Sequence, residues 1–488
     1  MAGRAMVNIR PILYVVGLLL LAEGALMALP AMVDAAIGHP DWRTFAIAGF
    51  LTLAFGGALA TANRPEHFQI GIWQGFLLTT LAWVAVIVFG AAPFMFTQHR
   101  LSFTDAVFET TSGFTTTGST VIVGLDDSPP GILLWRSLIQ WIGGLGIVVM
   151  GIIMLPFLRV GGMQLFRTES SDRSEKMFPR PAQLSLWLAT AYLGLTFACA
   201  VCLRIAGMGW FDAVNHALTT LSTGGFSNKD ASVGFYDNAG VDWVLVVFMA
   251  AGALPLSSHS LALRRGPRTF LADTQVGTFL ALLVASILVI TLWVWLSLDQ
   301  PFGHALRLAA FNVTSIISTT GFATTDYGKW GSFAVGGFFL FYFFGACAGS
   351  TGGAVKIFRW QILYAALRRQ FRLMRRPHEV VVVSYNGRAV GEGVMVSVAN
   401  FFVLYMATFA ALSLGVMAFD VDFLSAVSGV AQAMANAGPG LGPIVGPAGN
   451  FAPLPAGAKW LLSFAMLLGR LELFTVYAVL IPGLWRHD

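Results

Sequence analysis

One fourteen-residue phrase occurs four times in the chain and ends each time in glycine. The copies are Asp105–Gly118, Asp212–Gly225, Leu308–Gly321 and Ser425–Gly438, and they align without a gap. Each copy has alanine at its second position and runs from an apolar stretch into small or polar residues. Recurrence at roughly every hundred residues is typical of an internally repeated architecture. Four copies indicate four units around one axis, which is a natural place for an ion path.

The composition places these units in a membrane. The chain has 488 residues, of which 56% are hydrophobic and only 11% are charged, well below the charged fraction of soluble proteins. Several nearly uncharged runs are long enough to cross a bilayer, so we expect a polytopic membrane protein. The net charge of +5 does not predict a nucleic-acid partner, because the arginines cluster beside the apolar runs.

The apolar runs predict ten membrane spans. They lie at about 11–36, 44–62, 69–93, 131–158, 182–206, 240–263, 276–298, 332–364, 394–418 and 457–483. The first two form an N-terminal hairpin, and the other eight form four pairs. Each pair encloses one phrase that is too short and too polar to cross. The predicted units are a hairpin at 1–66 and pore repeats at 67–180, 181–270, 271–376 and 377–488.

The basic residues predict the orientation of these units. Lys and Arg concentrate in the N-terminal segment and in the connections between units, which the positive-inside rule places in the cytoplasm. The basic positions are Arg4, Arg10 and Arg64, and then the connections 159–180, 264–268 and 356–376. Both termini are therefore expected in the cytoplasm. All four units then share one orientation, and every phrase enters the membrane from the outside.

The end of each phrase predicts a cation filter. Glycine permits backbone angles that turn carbonyl oxygens toward an axis, and rings of carbonyls can replace the hydration shell of a potassium-sized ion. Hydroxyl and amide oxygens could add ligands at the inner end. The alternative for any single copy is a turn or a helix-packing contact. The predicted ligands are Thr116, Thr117, Gly118, Thr223, Gly224, Gly225, Thr319, Thr320, Gly321, Asn436, Ala437 and Gly438.

Several long motifs resemble one family. The phrases TTSGFTTTGST, LSTGGFSNKD, STTGFATTD and NAGPGLGPIVGP resemble the four filter loops of the TrkH/KtrB superfamily of potassium transport proteins. So do GACAGSTGGAVKIFR (Gly345–Arg359), GGMQLFRTESSD (Gly161–Asp172) and LLGRLELFTV (Leu467–Val476). The resemblance covers nearly the whole chain, and the extra hairpin points to the TrkH branch. It implies an all-α membrane protein with four pseudo-symmetric span–pore loop–span repeats.

The resemblance also implies a gate beneath the filter. Arg470 is expected to project into the cavity and oppose a cation leak, while Gly345–Gly353 is expected to form an intramembrane loop that blocks the pore. The alternatives are that Arg470 and Glu472 are a charge pair satisfied by neighbouring helices, and that the glycines only allow close helix packing. Lys356 is either a span-end anchor or a loop contact. The expected gate residues are Arg470, Gly345, Gly349, Ser350, Thr351, Gly352, Gly353 and Lys356.

Acidic residues near the phrases have two interpretations each. Those on the outer side could concentrate cations at the mouth or simply be solvated; they are Asp126, Asp127, Asp230 and Asp326. Asp105 and Asp212 open two phrases and are expected to be helix N-caps rather than ligands.

The same resemblance implies partners for the chain. We expect potassium as the transported substrate with no organic cofactor, a homodimer, and a cytosolic nucleotide-binding regulatory subunit of the TrkA type. The basic stretch Arg368–Arg376 is expected to meet anionic lipid or an acidic partner. The expected location is the bacterial inner membrane.

Three classes of function apply to a polytopic membrane chain of this kind. Potassium uptake through a pore is the first, and a proton- or sodium-coupled symporter with discontinuous helices is the second. Inverted-repeat carriers need units of opposite orientation, which disfavours the second class. An intramembrane enzyme would need a catalytic set that the sequence does not offer, so we do not expect catalysis.

Overall fold

The structure, a computed structural model, describes residues 8–67, 71–154 and 181–481. Arg4, the basic connection 159–180 and the motif Gly161–Asp172 lie outside these residues. Among the described residues, seven helices are long and apolar enough to cross a membrane, or nine if each of two bent helix pairs counts as one span. The predicted span 332–364 is instead a short helix, Ser332–Phe341, followed by irregular backbone.

The N-terminal hairpin consists of α1 (Arg10–Leu26), α2 (Ala28–Ala36) and α3 (Trp42–Ala62). Small residues let its backbones meet: a methyl group on Gly17 would stand 2.8 Å from the Gly56 carbonyl oxygen, a packing typical of membrane helices. The hairpin is tied to the first repeat by Asp34, whose Oδ1 accepts a hydrogen bond of 2.7 Å from the Gly131 amide.

The first two repeats follow the predicted span–pore helix–span order. The first contains α4 (Ile72–Gly90), α5 (Ala92–Phe96), the pore helix α6 (Phe103–Phe114) and α7 (Pro130–Met154). The second contains α8 (Pro181–Ile205), the pore helix α9 (Trp210–Leu221), α10 (Ala239–Ala253) and α11 (Leu256–Arg265). The chain turns by 104° between α10 and α11, within the Ala251–Ser260 stretch.

The last two repeats repeat this order. The third contains α12 (Thr274–Ser297), the pore helix α13 (Phe302–Ile317), α14 (Ser332–Phe341) and α15 (Ile357–Arg375). The fourth contains α16 (Glu392–Met417), the pore helix α17 (Phe423–Ala435), α18 (Ala456–Arg470) and α19 (Leu473–Leu480). A bend of 114° separates α18 from α19.

Short elements complete the fold. Strands β1 (Ser384–Tyr385) and β2 (Arg388–Ala389) form an antiparallel hairpin with Ser384 opposite Ala389. Its turn residue Asn386 accepts a hydrogen bond of 2.9 Å from the Thr274 amide at the start of α12. Short 3₁₀ turns occupy Leu125–Asp127, Ser232–Tyr236, Pro267–Ala272 and Tyr327–Lys329.

The pore helices begin one turn earlier than the aspartates suggested. Ser102 is the N-cap of α6 and accepts a hydrogen bond from the Asp105 amide, while Gly209 is the N-cap of α9. The N-cap prediction for Asp105 and Asp212 was therefore wrong. Both carboxylates lie in the first helical turn, where their negative charge interacts favourably with the positive end of the helix dipole.

Candidate ion-permeation site

The four phrases have the same backbone shape. The residue two positions before each final glycine has a left-handed conformation, with φ of 53° at Thr116, 53° at Thr223, 62° at Thr319 and 55° at Asn436. The final glycines also have positive φ, at 93°, 71°, 92° and 84° in chain order. Left-handed backbone is rare for threonine. Its recurrence in three repeats, with asparagine in the fourth, shows that one strained turn is built four times.

Each turn is held by its own pore helix. The residue before each glycine donates its amide to a carbonyl in the last helical turns, with distances of 2.8, 2.8, 2.8 and 3.0 Å in chain order. The donor–acceptor pairs are Thr117–Ser112, Gly224–Thr219, Thr320–Ser315 and Ala437–Gln432. Repeats that differ in sequence thus fold alike. We name the turns the filter stretches, with residues 116–119, 223–226, 319–322 and 436–439.

The filter stretches close into a ring. A methyl group on any final glycine would meet the carbonyl oxygen of the residue that precedes the next repeat's glycine. Gly118 faces Gly224 and Gly225 faces Thr320; Gly321 and Gly438 would meet the oxygens of Ala437 and Thr117 at 2.6 and 3.1 Å. The order runs from repeat 1 through 2, 3 and 4 and back to 1. The four stretches therefore surround one axis.

A vestibule opens onto this ring on the side that the positive-inside rule predicts to be outside the cell. It has a volume of about 300 Å³, and all four final glycines line it. Lys229 and Asp230 also border it. A solute that enters from this side meets all four repeats at once.

The outer acidic residues are largely engaged by the protein. Asp230 accepts amide hydrogen bonds of 3.1 Å from Gly124 and from Leu125, and Asp126 lies 3.4 Å from the Lys229 ammonium. Asp326 accepts a 3.1 Å hydrogen bond from the Gly328 amide. These three carboxylates order the outer loops, whereas Asp127 is exposed.

Polar residues behind the ring were missed by the sequence analysis. The fifth position of the phrase holds Glu109, His216 and Asn312, all fully buried. Each joins its pore helix to the chain just beyond its own filter stretch: Glu109 accepts from the Val121 amide (2.9 Å), and Asn312 donates to Thr324 Oγ1 (2.9 Å). His216 Nε2 lies 3.0 Å from the hydroxyl of Ser227. Alignment of the four phrases places these three polar residues at one shared position, and that shared position was the available signal.

A second missed residue is Gln140 on α7. Its Nε2 donates a 2.7 Å hydrogen bond to the Gly224 carbonyl, and its Oε1 accepts a 3.0 Å bond from the Phe226 amide. The first repeat therefore holds the second repeat's filter stretch from behind.

The inner end of the ring presents side-chain oxygens. Thr116 Oγ1 and Asn436 Oδ1 are buried and have no hydrogen-bond partner among the described residues. The amide nitrogen of Asn436 is engaged, since it donates to Thr117 Oγ1 (3.0 Å) and to the Met466 carbonyl (2.9 Å). Thr223 and Thr319 use their hydroxyls to contact the segment described next.

The interrupted segment Gly345–Gly353, which we name the gate segment, lies directly against the inner end of the ring. The Gly353 amide donates to Thr319 Oγ1 at 2.8 Å, and Thr223 Oγ1 lies 3.4 Å from Thr351 Oγ1. Thr351 Oγ1 also donates to the carbonyls of Leu221 (2.9 Å) and Gly252 (3.1 Å). The segment thus reaches the inner ends of repeats 2 and 3.

The bent sixth span holds the gate segment from one side. The Cys347 amide donates to the Ala253 carbonyl at 3.0 Å, and the Leu256 amide donates to the Gly349 carbonyl at 3.0 Å. Within the segment, Ser350 Oγ donates to the Cys347 carbonyl at 2.5 Å. The break at Pro255 therefore frees backbone groups that the gate segment satisfies.

Arg470 contacts the gate segment and the first repeat. Its Nη1 donates to the Thr351 carbonyl at 2.7 Å and its Nη2 to the Gly143 carbonyl at 3.4 Å. Glu472 pairs with Arg359 of α15 at 2.7 Å, so both charges have partners on neighbouring elements, as the alternative interpretation of these two residues expected. Lys356 donates to the Gly352 carbonyl, which makes it a contact of the gate segment.

The chain is similar to known cation transport proteins along most of its length. The family model of TrkH, described as a cation transport protein, matches residues 42–482. The Trk system potassium uptake protein TrkI of Halomonas elongata is 44% identical, covering 98% of this chain and 97% of that protein. TrkH of Escherichia coli is 36% identical over 98% of this chain and 100% of its own length.

A solved structure has the same architecture. The crystal structure of the potassium transporter TrkH from Vibrio parahaemolyticus superposes with a TM-score of 0.91 at 35% sequence identity, covering 98% of this chain and 99% of that chain. Two relatives above 30% identity match almost end to end, and the family model spans most of the sequence. The chain belongs to the TrkH family of cation transport proteins.

Proposed function

We propose that this chain mediates potassium uptake by conducting the ion through the ring of filter stretches. The closed ring of four glycines, each against a carbonyl of the next repeat, is the observation that carries the proposal. It provides one axis with backbone oxygens around it and a vestibule at its outer end. The relatives TrkI and TrkH are potassium uptake proteins, which agrees with this function.

The donor groups suit an alkali cation. Carbonyl, hydroxyl and amide oxygens are hard, neutral ligands, and the predicted ligand set from Thr116 to Gly438 offers only these. The unpartnered oxygens of Thr116 and Asn436 support a role for the inner end, because a buried oxygen without a donor is stabilised by a cation. No cluster of His, Cys, Asp or Glu suited to a metal ion occurs among the described residues.

We propose that the gate segment and Arg470 close this pathway. The segment contacts Thr223 and Thr319 directly beneath the ring. Arg470 adds a positive charge at the same depth, which repels cations strongly where water is scarce. Opening then requires the gate segment to leave these contacts. A cytosolic nucleotide-binding subunit of the TrkA type would drive that displacement.

Flux into vesicles tests the function. The purified chain is reconstituted, and uptake of K⁺, Rb⁺ and Na⁺ is measured separately, with and without a TrkA-type subunit. We expect K⁺ and Rb⁺ uptake that exceeds Na⁺ uptake and that increases with the subunit. Equal flux of Na⁺ and K⁺ would contradict potassium selectivity.

One observation favours a proton-coupled alternative. Glu23 of α1 is buried, and neither of its carboxyl oxygens has a hydrogen-bond partner among the described residues. It lies beside the first repeat, since a methyl group on Gly90 would stand 2.7 Å from its Oε1. An unpaired intramembrane acid is a candidate proton site. The symporter would be favoured if K⁺ uptake requires a pH gradient and if Glu23→Gln abolishes that requirement. Uptake that is unchanged when the pH gradient is removed supports the pore.

The proposed setting is the bacterial inner membrane with both termini in the cytoplasm, and the proposed assembly is a homodimer. We also propose that α15 lies on anionic lipid. Its basic end, Arg368–Arg376, adjoins apolar side chains that are more than half exposed, and these are Tyr364, Leu367, Phe371 and Met374. Cysteine labelling from each side of the membrane tests the topology, and light scattering of the detergent-solubilised protein tests the dimer. Co-sedimentation with vesicles with and without anionic lipid tests the lipid contact.

A further inference from the structure

Arg136 is a buried cation that neither the filter nor the gate explains. It lies in the outer half of α7, and only 1% of the residue is exposed. A charged side chain within a membrane span is costly unless it is paired, and it usually has a function. Its position between two repeats indicates what that function is.

The guanidinium bridges the first and second repeats. Its Nη1 donates to the Ser227 carbonyl at 2.8 Å, and its Nη2 donates to Thr120 Oγ1 at 3.2 Å. The same group stacks on the ring of Phe226, with 4.1 Å between the guanidinium carbon and the ring centroid. Thr120 directly follows the first filter stretch. Phe226 is the last residue of the second filter stretch, and Ser227 directly follows it.

Glu109 fixes the guanidinium from the pore-helix side. Its Oε1 accepts from Arg136 Nε at 2.9 Å, and both the carboxylate and the guanidinium are almost fully buried. Both oxygens of Glu109 also accept from Thr120 Oγ1 at 3.0 Å. Three donors of one planar group are thus committed to three different partners. Such a group holds its partners at fixed separations, which a flexible ammonium cannot do.

The other junctions between repeats are held differently. Repeats 2 and 3 meet through the Gly234 amide and the Ala323 carbonyl (3.1 Å), and repeats 4 and 1 through Ser119 Oγ and the Gly438 carbonyl (2.8 Å). These are neutral hydrogen bonds. Ion pairs also cross these two junctions: Arg307 pairs with Asp237 and Asp242, and Lys459 pairs with Asp105. Arg136 differs from these cations in that it stacks on Phe226, a residue of the second filter stretch.

We propose that Arg136 is a positioning residue that sets the separation of the first and second filter stretches and thereby the preference for potassium over sodium. The inference rests on the proposed potassium conduction. A ring of oxygens discriminates against the smaller ion only while its members cannot move inward. Loss of the bridge lets the two stretches approach each other, so sodium gains more than potassium.

Permeability ratios of three single variants test the proposal. Arg136→Gln removes the charge, Arg136→Lys keeps the charge without the planar group, and Arg307→Gln is the matched control. Arg307 is an outer arginine that pairs with Asp237 (2.6 Å) and Asp242 (2.9 Å), away from the filter stretches. We expect the Na⁺/K⁺ ratio to rise by about tenfold in both Arg136 variants and to stay unchanged in the control.

A double variant covers the case in which the single variants do not fold. Removing one partner of a buried ion pair is far more damaging than replacing both, so Glu109→Gln with Arg136→Gln should be recovered as a monodisperse protein. It still lacks the charged bridge to Ser227, and we expect the same rise in the ratio. Wild-type selectivity in the double variant, or in Arg136→Lys, would overturn the inference. A wild-type protein without selective flux would instead refute the proposed function.

Discussion

Arg470 donates a hydrogen bond from Nη1 to the carbonyl oxygen of Thr351 over 2.7 Å. The last span of the fourth repeat therefore holds the gate segment of the third. Because Nη2 also reaches Gly143 of the first repeat, one side chain joins three repeats beneath the ring.

Replacement of Arg470 should increase ion flux. Arg470→Ala removes a buried positive charge from the pathway and releases the Thr351 carbonyl, so both the electrostatic barrier and the contact that holds the gate segment are lost. We expect several-fold higher K⁺ uptake into vesicles. Arg470→Lys keeps the charge and should give an intermediate flux. Unchanged K⁺ flux in Arg470→Ala would contradict the role of Arg470 as a barrier to cations.

Weakening the gate segment at Thr351 should also favour the open state. Thr351→Val keeps the shape of the side chain but removes the hydroxyl that donates to Leu221 and Gly252. Each such hydrogen bond contributes about 1 kcal/mol, so we expect a few-fold increase in basal K⁺ flux. The matched control is Thr190→Val, because the Thr190 hydroxyl bonds only within its own helix, to Leu186. A decrease in flux would show that Thr351 does not hold the closed state.

A side chain at a filter glycine should abolish conduction. In Gly225→Ala, the methyl group would overlap the Thr320 carbonyl oxygen, and the backbone has a φ of 71° that alanine rarely adopts. We expect loss of K⁺ uptake in a protein that remains monodisperse. Gly303→Ala, at the start of α13, is the control because a methyl group there meets nothing within 4 Å. Normal uptake by Gly225→Ala would exclude the ring as the pathway.

The contact between the hairpin and the first repeat should affect stability. Asp34→Ala removes the acceptor for the Gly131 amide in the first turn of α7, and we expect the free energy of unfolding to fall by about 1–2 kcal/mol. Thermal unfolding in detergent measures this change. Glu66→Ala, at an exposed acid, should leave the melting temperature unaltered, and an equal loss in both variants would argue against the Asp34 contact.

The repeated phrase was sufficient to predict the four-unit fold, because similar phrases that lie between similar apolar spans form the same local structure. The final glycines are predictable for the same reason. Glu109, His216 and Asn312 were missed because each differs in chemistry from the others, although their position in the phrase is shared. Arg136 was missed because only the length of the apolar run around it entered the prediction of a span. Its partners Glu109 and Ser227 are also distant from it in sequence, so no local pattern joins the three residues.

Local geometry was the least predictable part. Pro255 is a local signal that the helix breaks, but the 104° turn after Ala253 also depends on hydrogen bonds to the gate segment, about a hundred residues away, which no local pattern encodes. Similarly, the partner of Glu472 is Arg359, more than a hundred residues away in sequence, and the left-handed backbone of Glu472, with a φ of 62°, lies at the 114° bend between α18 and α19.

The ring consists of four filter stretches of different sequence, here called its quarters, and this difference has a genetic consequence. In a pore assembled from four identical subunits, one codon change alters every quarter at once. Here Thr116, Thr223, Thr319 and Asn436 are encoded separately, so a mutation changes a single quarter and leaves three as they were. A single substitution can therefore alter one quarter of the ring and leave the other three unchanged, and the fourth quarter carries Asn436 where the others carry threonine.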